Sequence, residues 1–447
     1  MKHARPERAR STSQTVAGIL FVEMSRFPSY GGTKRVVVNL ARALDRERFE
    51  PQVLFYRDGP WVADLEAAGV PVTVFESPLP EPASDTAGSG TAGRAPAWLS
   101  GAGMQVGASG DVRRSALRRS ASDLLSWWRF LGPDRAQARR LVGLVPAATR
   151  LIHVNSSMVA DYSWFHVARH CRVPFVTHEH GTWKPRSAAY RTVAARAASV
   201  LCLTQERVDR LRGHLHGRVR ADLLPNGLAV DRLAPARDRA TVRAGLGVTQ
   251  DLPLLITAGH LQEWKGQALA VEAAAVLAGR GLEFLWILCG EEVEPAYAEA
   301  LRRRIAEAGL SARVRLLGAR ADLPDLFAAS DLAVHTSIQP EPFGLVVLEA
   351  MLQGLPIVGP REGAVPSLVR DGVDGRLVRP RDAGALAAAV FDLATSPQLR
   401  RAMGSAARSR VRESFDVKSQ APKLEAIYER ALGRDAQADG PGAGGPL

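Results

Sequence analysis

The chain has 447 residues, 46% of them apolar and 23% charged, and a formal net charge of +12. That length exceeds one ordinary core and predicts two or three domains, with a balance that excludes a disordered or membrane-embedded chain. The basic excess favours an anionic partner (a nucleotide, a nucleic acid or a membrane surface), although an Arg/Ala-rich composition accounts for the same excess without any partner.

Residues 1 to 14 read as a disordered basic leader, and the short apolar run Val16 to Val22 follows. Glu23 cuts that run short and no small-residue cleavage site is clear, so it reads as a first buried strand rather than a signal peptide. Short apolar runs then alternate with helical stretches: AGILFVEM, a helix from about Gly32 to Leu44, PQVLFY, another helix, and VPVTVFE. Strands alternating with helices imply βαβ units and a parallel sheet.

Residues 77–110 are rich in Pro, Ser, Gly and Ala and read as a flexible insertion. From Arg113 a helical pattern returns. Leu117, Ala121, Leu124, Trp128 and Leu131 share one face and have arginines beside them. With Trp127 and Phe130 this helix is suited to an anionic membrane. The favoured alternative packs Trp128 and the leucines on the first sheet and leaves the arginines solvated.

Three further strands follow, RLIHVNSS, VPFVTHEH and ASVLCLT, the last leading into Leu-Leu-Pro-Asn-Gly at 223–227. The Asn-Gly turn there reads as a hinge or cleft edge. A second α/β series runs through PLLITAGH, FLWILCGE, VRLLG, DLAVHTS, LPIVG and GRLVRP. Two doubly wound domains facing each other place ligands at the carboxyl ends of strands, in the cleft between them. The Gly/Pro-rich tail from Asp435 reads as disordered.

Cys171, Cys202 and Cys289 are far apart and odd in number, which fits a reducing compartment rather than a disulfide framework. No run approaches the roughly 18 apolar residues of a membrane span.

Four segments carry chemistry. The first is QPEPFGLVVLEAMLQGLPIVG, residues 339–359. A loop leads to Phe343, Gly344 and Leu345, where a helix begins and free backbone N–H groups suit a phosphate. Glu349, on the first turns of that helix, is placed for the vicinal hydroxyls of a ribose, and Glu341 faces the sugar across the phosphates. The plainer alternative is a solvated Glu pair beside a core helix.

The second segment is TAGHLQEWKGQ, residues 257–267, in which Lys265 follows a strand and can place its ammonium over a diphosphate. Without a metal, something cationic must stabilise the departing nucleotide. The third is PSYGGTKRVV, residues 28–37, where Gly31 and Gly32 let a ligand approach the start of a helix. It is not the dinucleotide fingerprint, which disfavours an NAD enzyme. The fourth is THEHGTW, residues 177–183, where His180 before Gly181 points into the cleft or is a hydrogen-bonded structural histidine, with His178 and Glu179 as competitors. No spacing here suits a metal, and no basic-aromatic reader of nucleic acid appears.

Together these segments resemble the large retaining family of GT-B glycosyltransferases, glycosyltransferase family four, over residues 16 to 430. The features that match are the Gly31-Gly32 loop with Arg35, His180-Gly181, Pro225-Asn226-Gly227, Lys265-Gly266, and Glu341…Glu349 with Phe343-Gly344-Leu345. Residues 371–390 also look like the family's segment after the donor site.

The resemblance implies an α/β fold of GT-B type, two Rossmann-like doubly wound domains with an interdomain cleft. An acceptor domain would span 15–224, a donor domain 225–412, and a helix at 413–434 would cross back to the first. It implies transfer of a sugar from a nucleoside-diphosphate sugar to a sugar or lipid-linked acceptor, with retention of configuration and without a metal or other cofactor. Glu341, His180 and Lys265 would be the catalytic residues, and no nucleic acid is involved. Lys265 would hold the diphosphate and the backbone of Phe343, Gly344 and Leu345 would bind phosphate or sugar. Glu341 would bind sugar hydroxyls, Glu349 the ribose, and His180 the sugar near the reacting carbon. Gly31 and Gly32 would close over the donor, and base contacts would lie near Gly318 to Arg320. The protein would be cytoplasmic, with peripheral contact at the inner membrane face.

Two positions depart from the family. His260 stands where Arg is usual, and a neutral imidazole is a poorer phosphate partner unless a nearby diphosphate charges it. Glu362-Gly363-Ala364 and Ser367 stand where Gly-Gly and a Glu are common. A related epimerase or inverting transferase, and a nucleotide-binding module without turnover, are the alternatives.

Overall fold

The fold, seen in a computed structural model, is described for residues 16–25, 31–76, 123–124, 126–157, 161–181, 187–249 and 251–434. The leader, the 77–110 insertion, the start of the arginine-rich helix and the tail lie outside the described residues.

Among the described residues, thirteen strands form two all-parallel sheets. The first holds β1 (Ala17–Glu23), β2 (Phe49–Phe55), β3 (Val72–Val74), β4 (Thr149–Val154), β5 (Phe175–Glu179), β6 (Ser199–Cys202) and β7 (Ala221–Leu223), in the order β3-β2-β1-β4-β5-β6-β7. The second holds β8 (Leu254–Ala258), β9 (Leu285–Cys289), β10 (Val314–Gly318), β11 (Leu332–Val334), β12 (Ile357–Pro360) and β13 (Gly375–Val378), in the order β10-β9-β8-β11-β12-β13. Both therefore change winding direction once, between β1 and β4 and between β8 and β11. The short strand β7 is absent from the sequence reading, because three residues carry too little period to be seen.

The central strands are buried along most of their length and mainly apolar because helices cover both faces of a parallel sheet. All seven residues of β1 are buried. Its alternate residues Ala17, Ile19 and Phe21 enter one core cluster, while Leu20 and Val22 enter another. In β9, Leu285, Ile287 and Cys289 face one side and Trp286 and Leu288 the other. This is the two-residue side-chain alternation of a strand, expressed as two packed layers.

The chain crosses between the sheets twice, and the crossings lie side by side. Leu228 N donates to Phe415 O and Val417 N to Leu228 O, both at 2.8 Å. A Cβ on Gly227 would meet Val417 Cα at 2.7 Å, so only glycine admits this approach. The helix Val417–Ala431 then packs into the core of the first sheet through Val417, Leu424, Ile427 and Tyr428. All three cysteines are free thiols.

The arginine-rich helix corrects the favoured packing. Residues 126–131 are helical, but Leu124, Trp128 and Leu131 are 68%, 56% and 60% exposed. Phe130 and Trp127 pack inward instead, Phe130 against Tyr162, Phe165 and His166. Aromatic residues offered two registers for one helical stripe, and the pocket between the helices took Phe130.

Candidate active site

In open parallel sheets ligands collect at the carboxyl ends of strands where the winding reverses. In the second sheet this point is the end of β8 and β11. Strand β8 runs into Gly259 and His260, and a 3₁₀ turn Glu263–Lys265 precedes the helix Gln267–Gly279. Gln267 Nε2 donates to His260 O at 2.9 Å and clips the loop to the helix. Gly266 has φ +67° and approaches Thr336 O so closely that a Cβ would lie 2.2 Å from it. Thr336 Oγ1 donates to Lys265 O at 2.8 Å, so the loops after β8 and β11 form one unit.

Within that unit Lys265 Nζ lies 2.8 Å from Glu341 Oε2 and 4.0 Å from the Trp264 ring centroid. Ser337 Oγ donates to the same carboxylate oxygen at 3.0 Å. His335 Nε2 is 3.3 Å from it, off the line of a good hydrogen bond. Burial pushes the Glu341 carboxyl up, but Lys265 and His335 outweigh it and hold the group below the usual carboxylate range. Glu341 is thus a buried carboxylate kept ionised by its neighbours.

The helix Leu345–Leu352 begins beside this cluster. Gly344, its N-cap, has φ +98°, and a Cβ there would sit 3.4 Å from Glu341 Cγ. Phe343 is buried and stacks edge-on with Phe415, so its ring is core and only its backbone is available. Gly363 supports the loop from below: its φ is +66°, and a Cβ would lie 2.5 Å from Glu341 N. Ala364 N donates to Glu341 O at 3.0 Å. The departure from Gly-Gly therefore keeps the one glycine whose contact and φ require it.

The first domain comes close from the other side. A Cβ on Gly32 would sit 3.5 Å from Leu345 Cδ1, and Arg35 Nη1 lies 2.6 Å from Glu349 Oε1. Gly31 is the N-cap of the helix Gly32–Ala43; residues 28–30 of that motif lie outside the described residues. Glu349 is buried and meets an arginine across the domain boundary.

His260 is half-buried. Burial and Lys265 hold its pKa below the ordinary value, against the opposite pull of Glu291 and Glu341. Arg320 is engaged by Asp322 through two hydrogen bonds of 2.8 and 2.7 Å, and Gly318 O accepts from Gly290 N at 2.8 Å.

His180 follows β5 and forms its hydrogen bond inside the first domain, from Nε2 to Asn155 Oδ1 at 3.1 Å. Among the described residues it makes none to Lys265 or Glu341. Its ring stacks on His178, with centroids 4.1 Å apart, and Arg207 Nη1 donates to Gly181 O at 2.7 Å. His178 is buried and bonded to Leu224 O at 3.2 Å, and Glu179 is also buried. The described residues contain no cluster of three His, Cys, Asp or Glu with metal-binding arrangement.

Sequence reasoning passed over His335, Ser337, Asn155 and Glu23. Each follows or ends a strand at a winding reversal, which is the signal that could have found them.

Comparison with known proteins agrees with this architecture. The family described as "Glycosyltransferase Family 4" matches residues 30–232, and "Glycosyl transferases group 1" matches residues 238–410. A D-inositol 3-phosphate glycosyltransferase of Streptomyces scabiei is 31% identical over 315 residues, 64% of this chain and 69% of that protein. The enzyme of the same name from Mycobacterium bovis is 35% identical over 228 residues, 49% of this chain and 46% of that protein. The chain thus spans about half to two thirds of the length of these curated relatives. A crystal structure of Anabaena HepE in complex with UDP and glucose superposes with TM-score 0.70 at 25% identity, covering 92% of this chain and 99% of that one. The chain belongs to glycosyltransferase family 4 and has its two-domain α/β fold of GT-B type.

Proposed function

We propose that this protein transfers a sugar from a nucleoside-diphosphate sugar to an acceptor hydroxyl with retention of configuration, in synthesis of a polysaccharide, glycolipid or other glycoconjugate. The observation that carries the reading is the Lys265–Glu341 pair set beside the Gly344 helix start at a winding reversal. Lys265 and the free N–H groups at Gly344 and Leu345 would neutralise the departing diphosphate. Glu341 would accept hydrogen bonds from donor-sugar hydroxyls and Glu349 from the ribose. The UDP and glucose held by the HepE structure support a nucleotide-sugar donor.

Incubating the purified protein with UDP, GDP and ADP tests the donor site directly. A nucleotide at ~100 times its dissociation constant stabilises the folded state by about 2.7 kcal/mol, a readily measured rise in melting temperature. A rise with one nucleotide names the base. No rise with any nucleotide would move the protein to a module without turnover. The anomeric configuration of the product, read by NMR, separates retention from inversion. Because the charge at the phosphate is supplied by protein groups, transfer is expected to survive EDTA; loss of activity on chelation would sink the metal-free reading.

We also propose a cytoplasmic protein with a peripheral contact to anionic lipid. What supports it is the exposed apolar row Leu124, Trp128 and Leu131 beside the exposed Arg135, Arg139 and Arg140, the composition of an interfacial helix. No helix among the described residues is long and apolar enough to cross a membrane. Sedimentation with phosphatidylglycerol vesicles should capture the protein, and Trp128→Ala with Leu131→Ala should release it. Equal binding of both forms would exclude this face.

A further inference from the structure

The winding reversal of the first sheet holds a buried polar relay that the donor-site reading does not use. Glu23, the last residue of β1, is fully buried. Its Oε1 accepts from Ser25 N (3.0 Å), Thr33 Oγ1 (3.1 Å) and Ser156 Oγ (3.4 Å), and its Oε2 accepts from Asn155 Nδ2 (2.7 Å). Asn155 directly follows β4 and is also fully buried. Its Nδ2 donates a second time, to Thr33 O at 3.0 Å.

These contacts leave the amide one orientation. The Thr33 carbonyl can only accept, so a turned amide would set oxygen against oxygen there and lose the donation to Glu23. Asn155 Oδ1 therefore faces His180, and the bond at 3.1 Å requires the proton to be on His180 Nε2. A neutral ring with its proton on Nε2 presents Nδ1 as an acceptor. Among the described residues Nδ1 has no hydrogen-bond partner.

We infer that Glu23 and Asn155 are positioning residues that hold His180 as the neutral Nε2–H tautomer, so that Nδ1 accepts a hydrogen bond from a hydroxyl of the bound sugar. The inference rests on the reading of this protein as a glycosyltransferase and gives His180 a definite chemical role in it: an acceptor for O–H, not a proton donor and not a phosphate ligand. The surroundings act in the same sense. Burial first, then His178, His153 and Arg207, disfavour a charged ring, and Glu23 reaches it only through the Asn155 amide. Arg207, bonded to Gly181 O, fixes the backbone that carries it.

The test is long-range proton–nitrogen NMR of histidine-labelled full-length protein, with His180→Gln to assign the ring. The wild type should show a single neutral tautomer with the proton on Nε2 from pH 8 down past the ordinary histidine pKa of about 6.5. A proton on Nδ1, or a ring half charged near that pH, overturns the inference. Asn155→Ala should give mixed tautomers and lower kcat by roughly ten- to a hundredfold, the cost of misplacing a contacting group. The UDP-induced stabilisation should be unchanged. Equal loss of nucleotide binding and turnover in Asn155→Ala, with the wild-type tautomer retained, would reduce Asn155 to a structural residue and refute the role. The tautomer is read without donor or acceptor, so its failure is distinct from a failure to find transfer activity.

Discussion

Glu341 is buried between opposing influences, and its charge depends on Lys265. Burial alone would neutralise the carboxyl; the ammonium at 2.8 Å and His335 keep it ionised. Glu341→Gln would leave Lys265 without its counter-charge. Removing one partner of a fully buried pair costs about 3–5 kcal/mol, and because the Lys265 side chain is 16% exposed the low end or less is expected. Transfer should fall by about 10²-fold, as for other lost transition-state contacts. A Glu341→Gln enzyme with full activity would remove the sugar-binding role. The second residue-scale prediction concerns His260, whose ring is disfavoured as a cation in the free protein by burial and Lys265. His260→Arg places a permanent cation there and should tighten UDP binding by about tenfold, or ~1.4 kcal/mol. Unchanged affinity by calorimetry would mean that this position does not meet the phosphates.

Loops and helices set these side chains through close contacts. Gly363 lies against the backbone of Glu341, and its φ of +66° suits no other residue well. Gly363→Ala should cost about 1–3 kcal/mol, and nucleotide affinity should fall with the melting temperature because the Glu341 loop must move. On the other side, Tyr428 of the last helix accepts or donates a hydrogen bond of 2.6 Å to His153 Nδ1 beneath the first sheet. Buried His153 and His178 and half-buried His180 lie in series, all with pKa values lowered mainly by desolvation, His178 to about 4. At these histidines the unfolded chain therefore binds more protons than the folded one below pH ~6.5, while Asp134 and Glu23, whose carboxyls burial pushes up, act in the opposite sense. Stability should be level above that pH and fall as pH drops from about 6.5 towards 4, with Glu341 adding to the loss below its unfolded value. Urea melts at pH 7.5, 6 and 5 check this; a flat profile would show that the histidines are not held neutral.

At the scale of the molecule, the two domains meet along the paired crossings and through arginine bridges, Arg35 to Glu349 and Arg232 to Asp64. The two crossings are paired by hydrogen bonds, and Asn39 Nδ2 donates to Gly227 O at 3.1 Å. Arg35, from the first domain, covers Glu349 in the second. A ribose hydroxyl bound at Glu349, as proposed, would compete with that guanidinium. Arg35→Ala should therefore open the domains, read as a larger radius of gyration by X-ray scattering, and tighten UDP binding several-fold. The wild type should approach the same affinity as salt rises and screens the pair. Weaker binding by the variant would instead make Arg35 part of the nucleotide site.

What the sequence by itself determined was the alternation of strand and helix in two successive α/β series, each forming a parallel sheet. These follow from local causes: doubly buried strands read as apolar runs, and glycines mark positive φ or close approach. Gly344, Gly363 and Gly266 show both. Three-residue β7 and the inward face of the helix at 126–131 were illegible for the matching reason. One lacks a period, and the other had two apolar stripes, between which only the shape of the neighbouring core decides. The tertiary structure alone brought Lys265 to Glu341 across 76 positions and Asn155 to Glu23 across 132. Such partners depend on which strands lie side by side at the winding reversal. That order is set by packing two sheets against their helices, not by any property of the residues that finally touch.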